Sequence, residues 1–434
     1  MKRRVMILLL MLTALVFSGC ALRTVEEMYS LPKRSEQYSN LQSSIDIAMV
    51  GLDYSAPVSG SNRQTLQTAD LDGDGKMEYI IFAKGDSEKP LQLLIFRQVN
   101  DIRCELWEVL SFRGSAFDIV EYVDVDTSPG CELVLGRQIS DQVLGSVSIF
   151  SFGEGEAEQI LSADYTRLFV CDLDGDSQQE LLLMRPGEAD MQTGVAVLYD
   201  YRDGGIERSV EAQMSSRAGD IKRITQSQLY GGTPAVYVAS AGRDDTVVTD
   251  VFVMNDGRFV NIAAYNGGGA PVDTLRNYAV YADDLDGDGV LELPKLLSTK
   301  SIFNNPEAEK QHLLRWYCMD INGNEVDKLC TFHNFASGWY LLLDSAWAGY
   351  LTMEQRGNNY TFYMWSDDFN KVTILFTLSE FTGNDREYQA SQNNRFVLYR
   401  DEDVTYAAKL ESGSAMYGFT EEYLVNSFRM IKMD

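Results

Sequence analysis

The chain has 434 residues, of which 64 are acidic and 37 are Lys or Arg, so its formal net charge is −27. Apolar residues make up 45% of the chain, which is enough to bury a large core and excludes a largely disordered protein. The negative charge argues against a nucleic-acid-binding protein, which needs a basic face toward phosphate, and against attachment to anionic lipid by charge alone. At roughly 150 residues per domain, the length fits two or three domains or one large repeat domain.

The N-terminus has the features of an export signal. Residues 2–4 are basic, residues 5–17 are apolar but shorter than a membrane-spanning helix, and the segment ends at Cys20. This arrangement resembles the lipobox of bacterial lipoproteins. The resemblance implies that residues 1–19 are a signal peptide, that Cys20 is diacylated, and that lipid holds the protein on the extracytoplasmic face of the cell membrane. The alternatives are an ordinary secretory peptide cleaved elsewhere and a plain transmembrane anchor.

A lipid-anchored tether with a short helix is predicted at residues 20–62. Ser35 is the predicted N-cap of that helix. Four apolar residues recur at helical spacing on one face: Leu41, Ile45, Ala48 and Leu52. This stripe predicts that the helix docks on the main body of the protein.

One acidic phrase of nine residues recurs four times, and an apolar run follows each copy. The copies begin at Asp70, Asp124, Asp172 and Asp284, at intervals of 54, 48 and 112 residues. The last interval is about twice the others, and a degenerate copy without the acids lies in it at residues 228–234. We call residues 70–78, 124–132, 172–180 and 284–292 loops A, B, C and D, and we number the residues of each loop from 1 to 9.

Strand-like stretches follow each loop, so that a unit of about 50 residues contains a loop, an apolar inner strand and two or three outer strands. This is the pattern of a β-propeller blade. The acidic loops end at residue 292 but strands continue, and residues 335–430 are predicted to hold two more blades. The predicted fold is all-β: a β-propeller over residues 63–434 with about seven blades of four-stranded antiparallel sheet, with six or eight as alternatives. A short helix opened by Thr420, followed by a strand, is predicted near the C-terminus.

The loops carry the donor set of a calcium site. Carboxylates at positions 1, 3 and 5 turn inward, position 7 offers its backbone carbonyl, and Glu at position 9 reaches back as the last ligand. Ca²⁺ takes six to eight oxygen ligands, so this set suits it. The predicted ligands of three sites are Asp70, Asp72, Asp74, Lys76 and Glu78; Asp172, Asp174, Asp176, Gln178 and Glu180; and Asp284, Asp286, Asp288, Val290 and Glu292.

Loop B has a weaker donor set, because Ser128 stands at position 5 with Pro129 beside it. A fourth calcium site there is left open. Its ligands would be Asp124, Asp126, Ser128, Gly130 and Glu132. The alternative for every loop is a solvated acidic turn without metal, which is unattractive because clustered carboxylates repel each other. The degenerate unit at residues 227–235 is predicted to be metal-free.

The loops resemble the FG-GAP or VCBS-type repeat of integrin-like propellers, whose calcium loops follow DxDxDGxxD. Glu replaces the final Asp in all four copies of this chain. An EF-hand is excluded because its closing Glu stands at position 12, where loop A has Ile81, and because each copy leads into a strand. The resemblance covers residues 65–300 and implies calcium ions that hold each loop to its blade.

The sequence contains none of the common catalytic motifs, such as HExxH, GxSxG or a P-loop. His312 and His333 are predicted to be structural. The loop at residues 266–271 would let a ligand approach the backbone, although a simple blade connection is favoured. Aromatic residues could form a sugar- or peptide-binding face, although core packing is favoured for them: Trp339, Trp347, Tyr360 and Trp365.

The scattered cysteines argue against a disulfide framework, and Cys318 and Cys330 could pair across strands or remain buried thiols. The expected function is a non-enzymatic, calcium-stabilised propeller lipoprotein at the cell surface, which binds a protein or glycan through loops at one end and no nucleic acid. The alternatives are an envelope enzyme acting on polysaccharide and a structural component of an envelope complex.

Overall fold

A computed structural model describes residues 36–431, apart from residues 101–102, 140–143, 154, 188–192, 243–245, 265–273, 298–311, 336 and 348. The described residues form six antiparallel sheets, which we number I to VI in chain order. Cys20 and the glycine-rich segment at residues 266–271 lie outside the described residues. Within the described part of the chain, no helix combines the length and the apolar character that crossing a membrane requires.

Sheets I to III contain strands β1 to β14. Sheet I consists of β1 (Asp53–Tyr54), β2 (Leu66–Ala69), β3 (Glu78–Lys84), β4 (Leu91–Gln98) and β5 (Cys104–Phe112). Sheet II consists of β6 (Ala116–Val123), β7 (Glu132–Gln138), β8 (Gly145–Ser151) and β9 (Glu158–Tyr165). Sheet III consists of β10 (Arg167–Cys171), β11 (Glu180–Pro186), β12 (Gly194–Arg202), β13 (Gly205–Arg208) and β14 (Ala212–Gln213).

Sheets IV to VI contain the remaining strands. Sheet IV consists of β15 (Ile221–Gln228), β16 (Pro234–Ala241), β17 (Val247–Asn255) and β18 (Arg258–Asn261). Sheet V consists of β19 (Leu293–Leu297), β20 (His312–Met319), β21 (Glu325–Asn334), β22 (Trp339–Leu343) and β28 (Phe428–Met430). Sheet VI consists of β23 (Leu351–Arg356), β24 (Asn359–Trp365), β25 (Val372–Thr382), β26 (Phe396–Arg400) and β27 (Val404–Leu410).

Helices are few and short. In the described residues the α-helices are α1 (Glu36–Ala48), α2 (Arg386–Ala390) and α3 (Glu421–Ser427). Single turns of 3-10 helix lie at Ala218–Asp220, Ile262–Ala264, Ser345–Trp347 and Ser414–Tyr417. The predicted C-terminal helix is confirmed, because the Thr420 hydroxyl accepts the backbone N–H of Tyr423 at 3.1 Å and β28 follows the helix directly.

The hydrophobic core is divided among the interfaces between consecutive sheets. A cluster of buried apolar side chains lies between each neighbouring pair, from sheets I and II to sheets V and VI. Between sheets I and II, Phe82 meets Phe117 edge to face with ring centroids 5.1 Å apart. Between sheets V and VI, Trp339 meets Tyr360 in the same way at 5.3 Å. Serial packing of four- and five-stranded sheets is the propeller-like arrangement that the repeats predict.

The loops occupy a different place in each unit from the one predicted. Loop A joins β2 to β3, loop B joins β6 to β7 and loop C joins β10 to β11, so each of these loops follows a strand of its own sheet instead of opening the unit. The apolar run after loop B is Glu132–Gln138, which pairs with a strand on both sides and is buried over its first six residues. The first strands were missed because several of them are polar, such as Ile221–Gln228.

Residues 335–430 contribute one further sheet instead of the predicted two, so the described residues hold six sheets where about seven were expected. Trp339–Leu343 pairs with β21, and Phe428–Met430 pairs with Trp339–Leu343, so both strands extend sheet V. The other strands of this region form sheet VI. The backbone of β22 pairs with β21, which places the strand within sheet V, and its Trp339 is fully buried in the interface between sheets V and VI.

The predicted docking helix is confirmed as α1. Leu41 and Ile45 are buried against sheet I, while Ala48 and Leu52 pack beside them. Residues 53–54, which the sequence assigned to the tether, pair with β3 instead. The predicted N-cap of the helix lies outside the described residues.

Candidate metal centres

Loops A, C and D share one network of internal hydrogen bonds. The N–H of position 5 donates to Oδ1 of position 3 at 3.1–3.2 Å, and the N–H of position 7 donates to Oδ1 of position 5 at 2.8–2.9 Å. The N–H of position 6 donates to Oδ2 of position 1 at 2.9–3.2 Å. The carboxylates at positions 3 and 5 are thereby each held by one oxygen, and their second oxygen accepts none of these backbone N–H groups.

The closing Glu at position 9 is buried in all four loops. Glu78, Glu132, Glu180 and Glu292 are each at most 1% exposed. In every case Oε2 accepts the backbone N–H of position 2, at 2.5–2.9 Å. The residue at position 2 is apolar, and Leu71, or its equivalent in each loop, packs into the core. The backbone bond therefore fixes the closing carboxylate against the sheet.

The carboxylates converge in three loops. In loops C and D the four acidic side chains each place one oxygen within 4.8 Å of the others, and in loop A three do so: Asp70, Asp72 and Glu78. Within the described structure, Asp70 Oδ1 and Glu180 Oε1 are buried without a hydrogen-bond partner. Burying a carboxylate oxygen without a partner costs free energy unless a cation binds it. The residues present therefore fit a metal ion.

Burial shifts the ionisation of the closing residues. Burial, together with the neighbouring Asp carboxylates, raises the pKa of Glu78 to about 7 and that of Glu180 to about 8. The same causes raise the pKa of Glu292 to about 7. A cation among these groups would favour their charged forms.

The tight turn depends on two backbone positions with positive φ. Position 4 is Gly in loops A, C and D, with φ between +70° and +82°. Position 6 is Gly75, Ser177 or Gly289, with φ of +84°, +77° and +84°. Loop B has Thr127 and Pro129 at these positions, and the proline ring fixes φ near −65°. Loop B therefore follows a different path.

Loop B does not gather its carboxylates into a comparable group in the described structure. The Ser128 hydroxyl contacts the Asp126 carboxylate closely and lies 3.3 Å from Glu132 Oε1. Asp124 is exposed, and Ser151 also donates to Glu132 Oε1 at 3.3 Å. Hydroxyl groups thus satisfy the oxygens that a cation would need. The fourth calcium site stays a prediction that this geometry does not support.

A basic side chain contacts the outer carboxylates of each converging loop, which the sequence did not predict. In loop A, Lys76 Nζ lies 2.6 Å from Asp74 Oδ2, which keeps Asp74 out of the converging group. In loop C, Arg202 Nη2 lies 3.4 Å from Asp174 Oδ2. In loop D, Lys328 contacts Asp286 and Asp288, and the hydrogen bond to Asp288 raises the pKa of Lys328.

Hydrogen bonds connect the loops of neighbouring sheets. The N–H at position 8 of loop B donates to the carbonyl of Asp70 at 3.1 Å, and the N–H at position 8 of loop C donates to that of Asp124 at 2.7 Å. In sheet IV, whose turn is shorter, the side-chain amide of Gln226 donates to the carbonyl of Asp172 at 2.7 Å. The Ser227 hydroxyl donates to the carbonyl at position 6 of loop D at 3.0 Å.

The other residues singled out by the sequence are mostly part of the core. His333 is buried and stacked on Tyr340 at 4.9 Å, and its Nδ1 lies 2.9 Å from the Thr331 hydroxyl. That hydroxyl also accepts the Trp316 indole N–H at 2.6 Å. Three of the aromatic residues are buried or packed on the core between sheets V and VI: Trp339, Trp347 and Tyr360. The fourth, Trp365, is half-buried at the end of β24.

The five cysteines of the described residues are free thiols, and four of them are buried. Cys318 and Cys330 therefore do not form the disulfide that the sequence left open. The Cys318 thiol instead lies 3.7 Å from Glu292 Oε1.

A groove of about 780 Å³ opens between the outer parts of sheets III and IV. Leu198, Val210 and Phe259 supply apolar walls, and Arg208 and Arg258 stand among its charged lining residues. The groove is a concave surface large enough for a small ligand or a peptide side chain.

The fold and the loops together define an all-β, propeller-like protein with acidic loops that could hold metal ions. No protein-family model and no curated protein matches the chain. Among solved structures, the rhamnogalacturonan lyase YesW is 12% identical, with 74% of this chain and 68% of that chain covered and a TM-score of 0.31. A candidate 6-phosphogluconolactonase from Bacteroides uniformis is 9% identical, with 74% and 94% covered and a TM-score of 0.30. Likeness at these TM-scores carries no argument about function.

Proposed function

We propose that loops A, C and D bind Ca²⁺ and that these ions stabilise a propeller-like lipoprotein displayed outside the cell membrane. The observation that carries the proposal is the convergence of four carboxylates in loop C around Glu180, whose Oε1 is buried without a hydrogen-bond partner in the described structure. All the donors are oxygens, which favours Ca²⁺ over thiophilic or imidazole-preferring metals. The resemblance to FG-GAP or VCBS-type loops supports the same ion.

The proposed role of the ions is structural. Loops A and C each connect two paired strands, and loop D is closed by the paired backbones of Asp283 and Glu292. A cation held by side chains along one loop ties these strands together at one end. A hydrogen bond from a loop or strand of a neighbouring sheet reaches the backbone of each converging loop, so the ion also supports the contact between neighbouring sheets.

Thermal melting in calcium and in EDTA tests the metal proposal. A ligand at 100 times its Kd stabilises the folded state by about 2.7 kcal/mol per site, so calcium is expected to raise the Tm by several degrees and EDTA to reverse the rise. Asp174→Asn is expected to reduce the calcium-dependent shift, while the exposed Asp403→Asn outside the loops leaves it unchanged. An identical Tm in calcium and EDTA would contradict the proposal.

We also propose lipid anchoring at Cys20, a proposal that rests on the sequence. Palmitate labelling of the expressed chain should be lost on Cys20→Ala, and labelling that persists in this variant would contradict the anchor.

The proposed partner is a protein or glycan. A pull-down from envelope extract in calcium and in EDTA tests this, because a partner held by loops that calcium orders should be retained only in calcium.

A further inference from the structure

Lys328 reaches loop D from a different part of sheet V. It lies on β21, and its Nζ is 3.4 Å from Asp286 Oδ2 and in closer contact with Asp288 Oδ2. The side chain is only 19% exposed, so the ammonium lies against the loop rather than in open solvent.

The oxygens that Lys328 contacts are those that the loop leaves for a cation. Oδ1 of Asp286 accepts the N–H of position 5 at 3.2 Å, and Oδ1 of Asp288 accepts the N–H of position 7 at 2.9 Å. The free oxygen of each carboxylate is Oδ2, and both Oδ2 atoms contact the ammonium. Lys328 therefore bridges two of the four carboxylates that converge in loop D.

We propose that Lys328 is an intramolecular competitor of the metal ion at loop D. This inference rests on the proposed calcium binding and names how that binding is regulated at one site. The ammonium is covalently tethered, so its effective concentration at the carboxylates is high, and a metal ion must displace it to reach both Oδ2 atoms. Loop D thus binds calcium more weakly than loop C, and calcium binding at loop D releases Lys328.

The corresponding contacts in the other loops are weaker competitors. Arg202 touches one carboxylate of loop C, Asp174, and also contacts Asp200 outside the loop. Lys76 contacts only Asp74, and the side chains of Lys76 and Asp74 are both exposed. Among the described ion pairs, Lys328 is the contact that bridges two carboxylates of one loop. Loops A and C each keep a buried oxygen without a hydrogen-bond partner in the described structure, on Asp70 and on Glu180, and are therefore more open to a cation than loop D.

Calorimetric titration of calcium into the full chain, from which a chelator has first removed calcium, tests the competition. Lys328→Met is expected to raise the calcium affinity of one class of sites by about tenfold or more, because it removes a tethered positive charge next to two of the proposed ligands. Adding Asp288→Asn to that variant should abolish the strengthened class, which assigns it to loop D. The matched control Arg202→Met is expected to change no class by more than about threefold.

The two proposals fail in distinguishable ways. A wild-type chain that binds no calcium overturns the proposed function. A wild-type chain that binds calcium while Lys328→Met leaves every class unchanged, or weakens one, overturns the competition alone. Circular dichroism of each variant in calcium shows whether it is folded.

Amine labelling of the wild-type chain tests the release of Lys328 without any substitution. Acetylation of Lys328, followed by mass spectrometry of its peptide, should be several-fold faster in saturating calcium than in EDTA. Lys295 is the control, because it pairs with Glu325 and its labelling should not depend on calcium. Equal protection of Lys328 in both conditions, with all sites filled by calorimetry, overturns the proposal.

Discussion

The sixth residue of each converging loop is defined by its backbone rather than by its side chain. Gly75 has a φ of +84°, and a Cβ built on it would meet no atom within 4 Å, so glycine is needed there for conformation alone. Ser177 takes the same conformation in loop C at φ +77°, which costs an L-residue roughly 1–2 kcal/mol. Loop C thus combines four converging carboxylates with a strained backbone at Ser177.

This strain predicts opposite effects for two substitutions at the same loop position. Ser177→Gly should stabilise the protein by up to about 1 kcal/mol, because it relieves the left-handed conformation but adds freedom to the unfolded chain. Gly75→Ala should destabilise it by about 1–2 kcal/mol. Chemical denaturation in calcium measures both changes. Effects of the same sign for the two substitutions would contradict this account.

The convergence of the acidic side chains was predictable from spacing, while their neighbours were not. Alternate acidic residues and a Glu at position 9 are a local pattern, and loops C and D gather all four carboxylates while loop A gathers three of its four. Lys328 lies 40 residues beyond Asp288, and only the pairing of the strands of sheet V brings the two together. Pro129 was visible in the sequence, but its effect on loop B was not, because that effect depends on the positive φ that position 6 adopts in the other three loops.

At the scale of elements, helix α1 covers one face of sheet I. Ile45 is 3% exposed and packs with Leu41 on the apolar side chains of β3 and β4. Asn40 accepts the backbone N–H of Cys104 at 2.9 Å, and Ser44 donates to its carbonyl at 3.2 Å. The helix therefore supplies both apolar cover and polar partners to the edge strand β5.

A matched pair of isoleucines tests the role of α1. Ile45→Ala should destabilise the protein by about 2–4 kcal/mol, because it leaves a cavity against sheet I. Ile47→Ala, two residues along the same helix, removes a side chain that is 76% exposed and should change stability by less than about 0.5 kcal/mol. Urea denaturation of the two variants is the measurement. Equal losses would show that α1 does not depend on this face.

The sequence predicted elements well where their pattern was strongly periodic or continuously apolar. Val404–Leu410 is a strand with the predicted bounds, and the stripe of α1 and the cap at Thr420 are both in place. The first strands of the sheets were missed, because a strand paired on one side only needs fewer apolar residues and gives a weaker pattern. The six sheets of the described residues match an alternative to the favoured seven, because strands late in the chain complete sheet V.

At the scale of the whole molecule, sheets I to VI pack in chain order and each loop contacts its neighbour. Asp70 and Asp172 each contribute a carboxylate to their own group and a backbone carbonyl to the next sheet, where Cys131 and Gln226 donate to them. Interactions of this kind couple nearest neighbours, as in repeat proteins. A change in one candidate metal centre should therefore alter the stability of the adjacent sheet before that of the other sheets.

Hydrogen exchange in calcium tests this coupling. Glu180→Gln removes one charge from loop C and should raise amide exchange at Gln179, whose N–H donates to the carbonyl of Asp124 in loop B, by about tenfold or more. Amides of sheet VI should keep their protection. Glu207→Gln, an acidic residue of β13 outside the loops, is the control and should change neither region. A uniform loss of protection across all sheets would contradict nearest-neighbour coupling.

The link between sheets III and IV differs from the links between the loops of sheets I to III. There a side-chain amide, that of Gln226, replaces the backbone donor that joins loops A, B and C, and the groove separates the outer parts of the same two sheets. A long side chain must be ordered to make such a bond, so this bond costs more conformational entropy than the backbone bonds between loops A, B and C. When chelation removes the cation of loop C, we expect this bond to be lost before those backbone bonds, so that amide exchange rises first in Ile221–Gln228.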